Sequence, residues 1–141
     1  MNAYTLCLLE ILDGRRREAI RWLCHGLSYN LHLPELVLAR KMEPESDHQS
    51  GVIVGGEDEA AEYLQQNQSW RSKEPRVFLR RVLATRPIAE RLQRARELSA
   101  ELDSRDELAK GKKRSAIVEE LTGLFDEKAT RAILEEHRNA L

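Results

Sequence analysis

The chain has 141 residues, of which 33% are charged, 41% hydrophobic and 5% aromatic, with a formal net charge of −1. That length suits one domain able to bury its own core, and that composition excludes a disordered chain and a disulfide-built scaffold. No apolar run approaches the roughly 20 residues of a membrane span, so no membrane partner is expected.

The opening residues MNAYTLCLLEILDG have no basic leader and meet Glu10 early, which is not a secretory pattern. Tyr4, Cys7, Leu8, Ile11 and Leu12 form one helical stripe, and Gly14 stops it. Ala19, Ile20, Leu23, Cys24 and Leu27 form the next stripe, and Gly26 is read as its end. Together these predict an antiparallel helical hairpin with a very short turn. Pro34 can open a third helix, although Leu36, Val37 and Leu38 also suit a strand. Residues 42–51 have loop chemistry, and Gly51-Val52-Ile53-Val54-Gly55 reads as a strand, paired with 36–42 or covering a helix edge.

Glu57, Asp58 and Glu59 suit a helix N-terminus, and Ala60, Ala61, Tyr63 and Leu64 continue that helix. Residues 66–74 form a polar connector. Pro75 opens a helix with Val77, Phe78 and Val82 inward, and Thr85-Arg86-Pro87 restarts the chain. Ile88, Leu92, Ala95, Ser99 and Leu102 step as a short heptad-like seam. Ser104 with Glu107 reads as a capping box, and Ser115 as the cap of the next helix, with Ile117, Val118 and Leu121 inward. Gly123 breaks that helix, and Asp126 caps a last one carrying Ala129, Ile133 and Leu134; Glu135, Glu136 and His137 read as its exposed tail. The fold class expected is mainly α: a small bundle of αα-hairpins with at most one short β-hairpin around 36–54. An N-terminal helical part (1–68) and an Arg-rich C-terminal part (71–141) are either two units or one compact domain.

Charge is segregated. From Glu43 to Trp70 there are seven acidic residues and no Lys or Arg; from Arg71 to Glu97 there are nine Lys or Arg and three Glu. Arg71, Arg76, Arg80, Arg81, Arg91 and Arg94 are the candidate contact residues, for an acidic protein surface or for phosphates. An intramolecular alternative has the acidic 43–62 segment folding against this stripe.

Other constellations carry less. REAIRWLCHGLSYNLHLPELVLAR has a Gly-Leu-Ser feature suited to a helix-turn-helix, but Trp22 is large where close packing wants a small residue, and Pro34 cuts the second helix. Lys110-Gly111-Lys112-Lys113-Arg114 reads as a solvated basic turn. Cys7, Cys24, His25 and His32 lack the paired spacing of a zinc site, and the thiols read as buried. His25, His32, His48 and His137 lack a triad signature. Acidic residues 57–59 would repel a phosphate from the Gly55-Gly56 turn. Residues 115–141, SAIVEELTGLFDEKATRAILEEHRNAL, are similar to the first two helices of ubiquitin-associated-type modules, without a counterpart of the third. Helix–Gly–helix pairs are frequent, so that likeness implies no function here.

No catalytic group, metal or cofactor is therefore expected. The expected function is a non-catalytic interaction module, that is, a small cytoplasmic regulator, adaptor or inhibitor with a protein partner of acidic surface. Small regulators encoded by phages and mobile elements share this lack of motif. The alternative is a nucleic-acid-binding regulator, and a homo-oligomer is compatible with either.

Overall fold

The computed structural model describes residues 2–39, 56–103 and 112–138. The expected strand at 51–55, the loop at 42–51 and the capping box at Ser104–Glu107 lie outside them. Among the described residues the chain forms eight α-helices and one 3-10 turn, with no strand.

Helix α1 (Asn2–Leu12) buries Tyr4, Cys7, Leu8 and Ile11 as its spacing predicts, whereas Leu12, expected on the same stripe, is exposed at the helix end. Gly14 ends it at φ +77°, a conformation that suits a residue without Cβ. The Gly14 N–H donates to the Ile11 carbonyl (3.1 Å) and the Arg15 N–H to the Glu10 carbonyl (2.9 Å), which satisfies two of the helix's last carbonyls. Helix α2 (Arg16–Tyr29) then returns antiparallel against α1, and the Cys7 thiol donates to the Ala19 carbonyl at 3.2 Å.

Gly26 corrects the sequence reading. It lies inside α2, which continues to Tyr29, so it ends no helix and opens no turn. Its role is close approach: a Cβ there would meet the Tyr4 ring at 2.7 Å. The end of α2 is organised by Asn30, which is completely buried. Its side chain donates to the Gly56 carbonyl (3.1 Å) and accepts from the His32 N–H (2.8 Å), its own N–H donates to the Gly26 carbonyl (2.8 Å), and its carbonyl accepts from Tyr4 Oη. Each polar group of a buried Asn needs such a partner.

Helix α3 (Leu33–Ala39) settles the helix-or-strand question in favour of helix for residues 33–39, with Pro34 at its second position. Helix α4 (Glu57–Gln66) starts on the acidic run. Within the expected polar connector, Gln68–Arg71 form a 3-10 turn that buries Trp70 completely. The Trp70 indole donates to Tyr63 Oη at 3.2 Å, and its ring meets Tyr4 edge-on at 6.3 Å.

Helix α5 (Lys73–Leu83) buries Pro75, Phe78, Leu79 and Val82. Val77, expected inward, is exposed. Helix α6 (Arg86–Asp103) buries Ile88, Leu92, Ala95 and Leu98, close to the expected seam. Helix α7 (Lys112–Gly123) starts before Ser115, so Ser115 is not its cap. Helix α8 (Glu127–His137) is capped as expected, with the Ala129 N–H donating to an Asp126 carboxylate oxygen at 2.8 Å.

His137 is a second correction: it is buried. Nδ1 lies 2.7 Å from the Ile133 carbonyl, which can only accept, so Nδ1 carries a proton. Nε2 lies 2.8 Å from Thr85 Oγ1, which ties the end of α8 to the α5–α6 turn. The main apolar core draws on α1 to α6, Phe125 and α8, with a small satellite of Ala95, Leu98 and Leu121.

Candidate functional site

The six candidate arginines have different surroundings. Arg94 is engaged inside the molecule: its guanidinium meets the Glu120 carboxylate on α7 through Nε (3.0 Å) and Nη2 (2.9 Å), and Glu97 at 3.3 Å. These carboxylates hold its pKa above the usual arginine value, the Glu120 hydrogen bond contributing most. Arg91 is half-buried and donates to the Pro87 carbonyl at 2.8 Å. Arg96 spends its charge on Glu35 of α3, at 2.6 Å. Arg94 and Arg96 thus connect α6 to α7 and α3, and Arg91 bonds within α6.

Arg71 and Arg76 are half-buried. Arg71 Nε and Nη2 have no hydrogen-bond partner among the described residues. Arg80 and Arg81 differ from the rest: both are exposed, and neither has an acidic partner among the described residues. The described part of the acidic segment does not meet these two. Glu59 accepts from Tyr29 Oη at 2.7 Å, and Glu57 lies 3.8 Å from His32 Nδ1.

Arg81 lies on the wall of a groove of about 570 Å³ between the end of α1 and α5. Its floor includes Ile11, Phe78 and Val82 from the core. Its lips carry Leu12 and Val77, 49% and 44% exposed, with Arg16 and Lys73 beside them. Lys73, Val77 and Arg81 stand four residues apart, one above the other on α5. Asp13 and Glu74 also line the groove. Its lining charge is therefore three cations against two anions, with Arg80 next to it on α5.

Two helix N-termini open on this groove, those of α2 and α5, through Arg16, Lys73 and Glu74. Neither has a side-chain cap: Arg15 offers none, and the Ser72 hydroxyl donates instead to the Ser69 carbonyl (2.6 Å). The macrodipole makes such ends positive, and cations there cost about 0.3–1 kcal/mol each at exposed positions. Yet Arg15, Arg16 and Arg17 stand in a row at the start of α2, with Glu18 the one acidic residue of its first turn. Arg15 meets Glu10 at 3.9 Å; Arg16 and Arg17 have no acidic partner among the described residues. This second source of charge was missed in the sequence reading. Its signal was available: basic residues where a helix favours acidic ones.

Among the described residues there is no group of three or more His, Cys, Asp or Glu placed to hold a metal, and no helix is long and apolar enough to cross a membrane. The two thiols are free and buried. No protein-family model, curated protein or solved structure matches this chain.

Proposed function

We propose that this protein is a non-catalytic interaction module, a small regulator, adaptor or inhibitor, that docks a protein partner on the face formed by α1 and α5. One observation carries the reading. Exposed cations without acidic partners among the described residues, Arg16, Lys73 and Arg81, line an apolar-floored groove with open lips at Leu12 and Val77, where they outnumber the lining carboxylates Asp13 and Glu74 by one, and Arg80 stands next to Arg81 on α5. An apolar centre with a charged rim is the anatomy of a protein interface, and the rim steers the encounter. Arg94 acts in this reading as an intramolecular tie to α7, and Arg91 is engaged within α6. Two buried free thiols suit a reducing compartment, so the module acts in the cytoplasm.

Affinity capture from lysate of expressing cells tests this, with and without nuclease, using wild type and Arg80→Glu/Arg81→Glu. A protein that survives nuclease and is lost in the variant supports the reading. Capture that disappears with nuclease, and weakens steeply with salt, would replace it by a nucleic-acid-binding regulator using the same cations. Capture of nothing by either protein overturns both.

A further inference from the structure

We infer that the occupant of the α1–α5 groove is an amphipathic helix whose apolar stripe is flanked by acidic residues. This rests on the docking reading above and gives the partner's chemistry. Three features lead to it.

The first is α1 itself, NAYTLCLLEIL, which is apolar on nearly all sides with Glu10 as its one charge. A helix of that kind is normally covered all round. Here Leu9 is 52% exposed, Leu6 and Leu12 at three-residue steps on either side of it are also exposed, and Leu12 lines the groove with Val77 of α5. Single exposed leucines need no explanation, but three at successive three-residue steps on one helix do.

The second is shape. The groove runs beside α5 from Lys73 to Arg81, about 12 Å at 1.5 Å per residue, which is the length of two helical turns. A helix laid there would place apolar side chains at i, i+3 or i+4, and i+7 between Leu12 and Val77. No sheet edge exists among the described residues for an extended peptide to join.

The third is charge. Arg16, Lys73 and Arg81 outnumber the lining carboxylates Asp13 and Glu74 by one, and the two helix N-termini without side-chain caps add positive potential, so the lips as a whole favour carboxylates. A second copy of this chain would bring the same excess of positive charge to both sides of a two-fold pairing, whereas an acidic-flanked helix neutralises it. The apolar floor favours a helix over a phosphate backbone, which offers nothing to fill it.

The experiment is fluorescence anisotropy with the full chain and two synthetic labelled helices of about 15 residues, a length at which helices begin to hold in water. Both carry leucine at i, i+3, i+7 and i+10; one has Glu at the flanking positions, the other Lys. Wild type should bind the Glu peptide at least about tenfold tighter than the Lys peptide. Arg16→Glu/Lys73→Glu/Arg81→Glu should invert that preference. Leu12→Asp/Val77→Asp should lose both peptides, and these exposed positions leave the helical circular dichroism unchanged. Equal binding of both peptides, binding of neither, or a concentration-dependent dimer that excludes the Glu peptide overturns the inference. If the capture experiment yields a nuclease-resistant partner while neither peptide binds, only the helix inference fails; if capture yields none, the docking reading itself fails.

Discussion

Gly26→Ala should destabilise this protein, although alanine is the better helix former by about 1 kcal/mol. The reason is Tyr4. An ideal Cβ at position 26 lies 2.7 Å from Tyr4 Cε1 and 2.8 Å from both Cδ1 and Cζ. The ring has no room to yield: it is 1% exposed, its hydroxyl donates to the Asn30 carbonyl, and its edge packs on Trp70. Overpacking of a filled core costs about 1–3 kcal/mol. If the ring moves, the Tyr4–Asn30 hydrogen bond is lost as well, about 1 kcal/mol or more with a carbonyl left unpaired. After the gain in propensity, the net loss is about 1–3 kcal/mol. Urea unfolding followed by helical circular dichroism should show a lower midpoint with unchanged slope. A Tyr4→Val background removes the ring and reverses the sign: there Gly26→Ala should stabilise, by up to about 1 kcal/mol. Equal or greater stability of Gly26→Ala in the wild-type background would refute the close-approach account. So would the same loss in both backgrounds.

Three further outcomes follow from buried polar groups and caps. Burial pushes the Cys7 thiol far up and the Cys24 thiol up to about 12, outweighing the downward effects of the Thr130 hydrogen bond and the Arg91 charge on Cys24. At pH 8 both thiols should therefore resist an aromatic disulfide reagent in the folded protein and react at once in urea, and prompt labelling of either in the native state would contradict this. His137→Ala should cost about 1–3 kcal/mol, and its coupling with Thr85→Val in a double-mutant cycle should be about 1 kcal/mol; additive single effects would mean the 2.8 Å contact does not act as a tie. Asp126→Ala should cost about 1 kcal/mol in thermal or urea unfolding, while Asp126→Asn keeps most of the cap; equal losses would show that charge, not the Ala129 hydrogen bond, is what matters.

The readable parts of this fold are those whose cause is local. Tyr4, Cys7, Leu8 and Ile11 point inward because 3.6 residues per turn puts them on one side, and no distant residue can change that. Asp126 caps α8 through an amide three residues away. The misread and missed residues depend on distant partners. Gly26 looks like a terminator until Tyr4 is set against it, and Asn30 is given no role by its local sequence, its groups being used by Tyr4 and Gly56, each 26 residues away. His137 at a helix end reads as solvated because its partner, Thr85, is 52 residues away. The candidate site divides in the same manner. Arg80 and Arg81 stood in the sequence among six candidate arginines with nothing local to separate them from Arg91 and Arg94, and Arg16, which lines the groove with Arg81, comes from the other end of the sequence. What could have pointed to Arg16 is a broken local rule: Arg15, Arg16 and Arg17 occupy the one end of a helix that repels them. Sequences depart from such rules mainly where something other than stability is selected, and here the departure is partial, since Glu18 stands in the same first turn and Glu10 meets Arg15, leaving Arg16 and Arg17 as the cations that the docking proposal draws on.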